Sequence, residues 1–377
     1  MTVSRGTSIR ETTRANIGAQ LGEVVEPGDI VLIKVNLTGG GSARPGVNAH
    51  MEVVEEVARL AEVAGAGQVI VGEDAAGLGD TTECFGTCGL TDLARRCNFD
   101  LVDFSRERHR RVAVREPLIA EELEIAESVL NCDKLIGVTT LKTHHQARVT
   151  LSLKNMYSHI PLAAREGYHL GDLASAIVDT NSVRKADFNV IDGFIGVEGL
   201  GPILGRPVAM GLVLCGQDAV AVDSVGAQTM GVDPATVRHI RLAAQKNLGT
   251  SDQRLIDVVG EAIGTVARNF ATPLDAMREM LSGHVEITEG SITLPGCTEV
   301  VVTAFQLLMG RRGRQPWQFE GLKISIEDTI ALERGRQRVI LGPPDALHAT
   351  QNRLTPGCLP TVSQTMGAIE VLVGLTS

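Results

Sequence analysis

Residues 29–37, DIVLIKVNL, form a nearly unbroken apolar run behind the turn Pro27-Gly28-Asp29. A strand that is apolar on both sides belongs in a parallel sheet covered by helices on both faces. The sequence around it repeats the required alternation. After the loop GGGSARPG (39–46), residues 50–64 place Val53, Val54, Val57, Leu60, Ala61 and Ala64 at helical spacing, and Gly65 and Gly67 stop the helix. QVIVGED (68–74) is the next strand. LTDLARRCN then LVDF, and AESVLNCDK then LIGVTTL, repeat the helix–strand pattern; DFNVIDG (187–193), VAMGLVLCGQ (208–217) and a helix over 218–231 follow. This predicts an α/β fold with a doubly wound, mostly parallel sheet. Beyond residue 250 the pattern changes. Residues 251–282 read as helical, 283–294 as strand-like, 298–309 as a helix, LKISIED and RVILGPP as strands, and 361–373 as a helix. We expect a main domain over 1–285 and a smaller C-terminal α/β module over 286–377, in keeping with a length of 377 residues.

In doubly wound sheets, ligands bind beyond the carboxyl ends of the strands. Polar residues gather there in this chain: Lys34, Asn36 and Thr38; Glu73 and Asp74; Thr140, Lys142, Thr143, His144 and His145; Asp192; and Asp218. One cleft faced by Lys34, Glu73, His144, Asp192 and Asp218 is the expectation.

Composition limits what such a cleft serves. The net charge is −10 and the pI near 5.5, which opposes nucleic acid and anionic membranes. Aromatic residues are only 3%, with one Trp and two Tyr, too few for base-stacking surfaces. GRRGR (310–314) is the exception to the acidic surface and reads as a solvated loop or a subunit contact in a homo-oligomer. No apolar run is long enough to cross a membrane, and the N-terminal stretch lacks the apolar segment of a signal peptide. Seven cysteines, an odd number, disfavour a complete disulfide framework and favour a reducing, cytoplasmic setting.

Against this acidic background, LKTHHQARVTLSLKN (141–155) concentrates Lys142, His144, His145, Arg148 and Lys154. Lys142, Arg148 and Lys154 suit a carboxylate or phosphate. His144, His145 and His169 exchange protons near neutrality, and clustered cations favour their neutral forms. Adjacent histidines in a strand point to opposite sides, so one of His144 and His145 is expected to serve. His159, beside Ile160-Pro161, has a structural reading, and His169 an alternative one as a helix cap. VTLSLKN is compatible with a strand, which puts Thr150, Ser152 and Lys154 on one side, or with a helix. DGFIGVEGLGPILG (192–205) has five glycines in fourteen residues, enough to bring backbone N–H groups close to an anion, with Asp192 and Glu198 inside it. Asp218 reads as a helix cap or a ligand contact, and Asp223, inside an apolar helix, needs a partner such as Lys154 or His169.

These motifs taken in order resemble the family called domain of unknown function 362. KVNLT, LIGVTTLKTHHQARVTLSLKNMYSHIP, Arg165, Tyr168-His169, VIDGFIGVEGLGPILG and DAVAVDSVGAQTMGVDP carry the resemblance over residues 28–250, and PGCLPT (356–361) is similar to the family's terminal motif, with Leu359 where that motif has Pro. The resemblance implies a fold and a pocket rather than a reaction. Many members carry a ferredoxin-like insert whose iron–sulfur clusters need C-x2-C-x2-C-x3-C. This chain has no C-x2-C; Cys84, Cys88 and Cys97, with Cys132 as a fourth, come nearest. A weaker resemblance is to the nickel-dependent lactate racemase family, in the order LIGVTTLKTH, Lys154, His169, although LSLK stands where that family has a glycine-rich segment.

The leading expectation is an enzyme that moves a proton on a small carboxylated or phosphorylated metabolite: an isomerase, epimerase or lyase. His144, His169 and Lys154 are the candidate catalytic residues; Lys34, Asn36, Lys142, Arg148, Asp192, Glu198, Asp218 and Asp223 are the candidate binding residues. No cofactor is required, although carboxylates and histidines together permit a divalent metal. The alternatives are a metal- or iron–sulfur-dependent redox enzyme and a non-catalytic ligand-binding or maturation factor.

Overall fold

The computed structural model describes residues 1–38, 44–75, 79–289, 297–310, 312–326, 330–335, 337–341 and 362–373. Strands in chain order are β1 (Thr2–Arg5), β2 (Ile30–Val35), β3 (Gln68–Glu73), β4 (Asp100–Asp103), β5 (His109–Ala113), β6 (Glu122–Ala126), β7 (Lys134–His144), β8 (Arg148–Thr150), β9 (Phe188–Glu198), β10 (Arg206–Gly216), β11 (Val259–Gly260), β12 (Val285–Glu289), β13 (Leu322–Ile326), β14 (Ile330–Arg334) and β15 (Gln337–Leu341). The main sheet runs β11-β1-β10-β9-β7-β2-β3-β4, with β8 paired to β7. Pairing is parallel from β9 through β7, β2 and β3 to β4, and antiparallel at β1–β10, β10–β9 and β7–β8. The sheet is therefore mostly parallel, as predicted.

Strand β2 shows why both faces are covered. Val31, Ile33 and Val35 enter one core, which also takes Ile17, Val53 and Leu93 from helices on that side. Leu32 enters the other core, with Ile177 and Val222 from helices on the opposite side. Alternation along the strand sends Lys34 to the same face as Leu32. The helix Met51–Ala64 buries the predicted stripe Val53, Val54, Val57, Leu60 and Ala61 and ends at Gly65, whose φ of 106° favours glycine.

Several expectations are corrected. Residues 251–282 are not one helical region: short helices at Ile263–Val266 and Pro273–Met280 flank irregular chain, and β11 joins the main sheet. The hairpin β5–β6 went unpredicted, because its exposed faces leave a weak apolar pattern. Strand β7 extends beyond the predicted LIGVTTL to His144, into the motif itself. The segment VTLSLKN is both of its readings in succession: β8, then the helical turn Ser152–Asn155. The C-terminal module has its own sheet, β12-β13-β14-β15, and a third core that also takes Leu200, Leu274, Met277 and Leu281 from before residue 286. The terminal motif PGCLPT lies outside the described residues.

Candidate functional site

The carboxyl ends of β2, β3 and β7 converge on a buried ionic hub. Lys34 is fully buried; its Nζ donates to Glu73 Oε2 (2.8 Å), Asn155 Oδ1 (2.8 Å) and the Val35 carbonyl (2.9 Å). Glu73 also accepts from the backbone N–H groups of Leu37 and Asp74 and from Ser158 Oγ. Asn155 returns hydrogen bonds to the carbonyls of Lys34 and Val138. Burial lowers the Lys34 pKa, and Glu73 opposes the shift. Two strand ends and the turn Ser152–Asn155 are thereby tied together. Every Lys34 donor is spent in doing so, so its ammonium lies behind the cleft and not on its lining.

In front of this hub lies a cleft of about 530 Å³, of the size that encloses small-molecule ligands. Asn36, Lys142, His144, His145, Lys154 and His169 all line it. Lys142 Nζ donates to Asn36 Oδ1 and the Val47 carbonyl, both at 2.6 Å. Lys154 stands 4.7 Å from the centre of the Tyr157 ring, and among the described residues its ammonium has no hydrogen-bond or carboxylate partner. Desolvation, with Arg165 and Lys34 nearby, lowers Lys154 to about 7; desolvation likewise brings Lys142 to about 7.

The backbone assigns a tautomer to each histidine. His144 Nδ1 lies 3.0 Å from the Gln146 N–H donor and 3.1 Å from that of Ala147, so it is an acceptor and the proton sits on Nε2. His169 is the opposite: its Nδ1 faces the Arg165 carbonyl at 2.7 Å and must donate, leaving a lone pair on Nε2. His145 Nδ1 faces the Gly201 carbonyl at 3.2 Å and has the same tautomer as His169. Desolvation and neighbouring cations hold all three neutral: His144 well below its ordinary value, His145 at about 4 and His169 at about 3. The rings of His144 and His145 stack with centres 4.4 Å apart, and His144 and His169 are 6.3 Å apart. The expected opposite orientation of His144 and His145 is thus corrected. Strand β7 ends at His144, so alternation no longer governs residue 145, and both rings line the cleft.

Other candidates sit elsewhere, for identifiable reasons. Asp192 is buried and accepts from the His50 backbone N–H (2.7 Å) and faces its Nδ1 (2.8 Å), which fastens the helix that starts at Met51 to β9. Asp218 caps the helix Ala219–Thr229 through the N–H groups of Val220 and Ala221 and also accepts from Thr250. Glu198 accepts from Ala271 N–H and pairs with Arg206. Asp223 finds neither Lys154 nor His169; it accepts from the N–H groups of Ser152 (2.7 Å) and Leu153 (2.9 Å), while burial pushes its pKa up to about 7. Arg148 points at Glu299 in the C-terminal module, 3.8 Å away. The single cleft faced by Lys34, Asp192 and Asp218 together is therefore corrected: Glu73 and His144 line it, and the other three are taken by an opposite charge, by backbone amides and by a helix end. His159, its pKa lowered by burial to about 3, has no hydrogen-bond partner for either ring nitrogen among the described residues and does not line the cleft.

Sequence reasoning missed three contributors. Arg165 pairs with Asp74 at the cleft wall, a contact between positions 91 residues apart. Tyr157 supplies the ring beneath Lys154. The helix Cys297–Gly310 brings Thr303, Gln306 and Leu307 to the cleft, and no local signal marks them. Among the described residues, no group of three or more His, Cys, Asp or Glu is arranged to hold a metal ion, and no two cysteines form a disulfide. His144 Nδ1 is also committed to two N–H donors. Among the described residues, this donor set does not fit a resident nickel or iron–sulfur group.

The cleft at the strand ends of this α/β sheet is thus lined by neutral histidines and by a lysine that has no hydrogen-bond or carboxylate partner among the described residues. Residues 31–228, more than half of the chain, match the family model described as domain of unknown function (DUF362), and the chain belongs to that family. It is 29% identical over 277 residues to the thylakoid-associated protein sll1697 of Synechocystis sp., a match covering 71% of this chain and 79% of that protein. Among solved structures it is similar to the lactate racemase apoprotein from Thermoanaerobacterium thermosaccharolyticum, with a TM-score of 0.37 and 11% identity over 57% of this chain and 54% of that one. A protein from Thermotoga maritima gives a TM-score of 0.34 and 10% identity, over 64% and 60% of the two chains. This chain thus spans little more than half the length of the racemase. Among the described residues no helix is long and apolar enough to cross a membrane.

Proposed function

We propose that the cleft binds a small carboxylated or phosphorylated metabolite and moves a proton on it, in an isomerase, epimerase or lyase reaction. The observation that carries this reading is the opposed pair of tautomers on His144 and His169. Nε2 of His169 has a lone pair and no competing proton, the state of a general base. Nε2 of His144 carries a hydrogen that its ring cannot move to Nδ1, because two backbone donors already point there. His144 is therefore a neutral hydrogen-bond donor, suited to an oxygen that gains negative charge as a neighbouring C–H proton leaves. Lys154, which has no hydrogen-bond or carboxylate partner among the described residues, meets the anionic group of the substrate; Lys142 and Asn36 shape the adjoining wall.

The test is exchange of substrate C–H for solvent deuterium, followed by proton NMR over a panel of carboxylic and phosphorylated acids. The substitutions His144→Asn and His169→Asn each keep a polar atom where Nδ1 stood and remove Nε2. We expect exchange with the wild type, its loss in His169→Asn, and a fall of about 100-fold or more in His144→Asn. Exchange at the wild-type rate in His169→Asn would remove the base from this mechanism.

A further inference from the structure

The cleft has two chemically distinct ends. Its inner end carries the lysines and histidines described above. Its mouth is aliphatic: Leu162 and Leu170 from the helix Leu162–Leu170, Ile203 and Leu204 from the β9–β10 connection, and Leu307 from the C-terminal module. Leu162, Leu170 and Leu204 are 38%, 39% and 54% exposed. A single exposed leucine carries no message, but apolar side chains from three separate segments around the mouth of one charged cleft do. The chain holds them there by close packing. Gly201 runs so near β7 that a Cβ at that position would stand 2.1 Å from the Thr143 carbonyl oxygen, and this contact places Pro202 to Leu204 over the cleft. The volume of about 530 Å³ is also far more than a short-chain acid fills.

We infer that the ligand of this cleft is amphiphilic: a carboxylate or phosphate head at Lys154 and the histidines, joined to an aliphatic body that lies along Leu170, Leu204 and Leu307. This deepens the reading of the cleft as an anion site and rests on it. The leucines would cover the reacting end from water once the body is in place, which strengthens the hydrogen bonds from His144 and Lys154.

The test uses the full chain and two series of probes, straight-chain fatty acids from acetate to decanoate and the matching alkyl phosphates, with affinity measured by calorimetry. We expect affinity to rise up to about fourfold per methylene until the cleft is filled, and then to level off. The better-bound series identifies the head. In Leu204→Asn and Leu170→Asn, whose side chains are exposed enough to leave folding intact, the dependence on chain length flattens while acetate or methyl phosphate binds as before. Lys154→Met lowers affinity at every length by a constant factor. If anions bind with no dependence on chain length, the inference fails and the anion-site reading survives; if no member of either series binds, both fail. Retention of the chain-length dependence in both leucine variants also overturns the inference. Cosedimentation with anionic vesicles that is lost in Leu204→Asn, without chain-length dependence for free ligands, would assign the leucines to a lipid surface instead.

Discussion

Lys154 and Lys142 bring two ammonium groups to one cleft, and neither has a carboxylate partner among the described residues. Desolvation puts both at about 7, so at pH 8 the unliganded amines are largely neutral. A bound anion favours the charged form and raises the pKa, so binding at pH 8 takes up a proton. Calorimetry in buffers of different ionisation enthalpy should show uptake approaching one proton, falling away as the pH is lowered below 7. Lys154→Met should remove most of that uptake and weaken anion binding about 10- to 100-fold. Binding without proton uptake, or uptake unchanged in the variant, would assign the anion to another group. That these lysines and the three histidines belong together was legible in residues 142–169, because short-range sequence keeps them near one strand end. Which histidine nitrogen holds the proton was not legible, since it depends on whether a backbone N–H or a carbonyl lies opposite.

At the scale of elements, the turn Ser152–Asn155 positions Lys154 and Asn155 together, and it is held from below by Asp223. Two N–H groups of a buried turn have their acceptor on a helix 70 residues later, and removing it leaves both unsatisfied. Asp223→Ala should cost about 2–4 kcal/mol in chemical denaturation. It should also weaken anion binding in the cleft that Asp223 does not line, because Lys154 shifts with its turn. Asp223→Asn keeps one acceptor and should recover part of both losses. An Asp223→Ala protein of wild-type stability would show that the cap contributes little. The sequence marked Asp223 as a buried carboxylate in need of a partner; choosing backbone donors over Lys154 required the packing of that helix against the turn.

At the scale of the whole molecule, five of the nine histidines are held neutral far below their ordinary range: His144, His145, His159, His169 and His239. Unfolding releases them to titrate near 6.5. Between that value and about 4, the unfolded chain binds protons on these rings that the folded chain does not, so stability falls as the pH falls. Lys142 and Lys154 act in the same direction between about 10.5 and 7, while Asp223, raised to about 7, and His50 and Glu107, both raised, oppose the five histidines. Denaturation midpoints should therefore drop steadily from pH 7 to pH 5, with a slope of up to about 1.4 kcal/mol per pH unit for each participating ring. A flat profile between pH 6.5 and pH 5 would mean that these rings are solvated in the folded protein.

The sequence by itself determined the layered α/β architecture, because apolar runs of strand length alternating with amphipathic helices leave few other ways to bury both faces of a sheet. It also determined that the basic motif ends a strand, where such sheets open. Only the tertiary structure decided which polar groups remain available to a ligand. Lys34, Asp192, Asp218, Glu198 and Asp223 carry the same chemistry in the sequence as Lys154 and His169. Each is taken by a backbone amide, a helix end or an opposite charge brought near by folding, and that competition is settled by distances between residues far apart in the chain. For the same reason the aliphatic mouth was not legible, since its leucines come from three distant segments and meet only when the C-terminal module packs near β8 and the helix Leu162–Leu170.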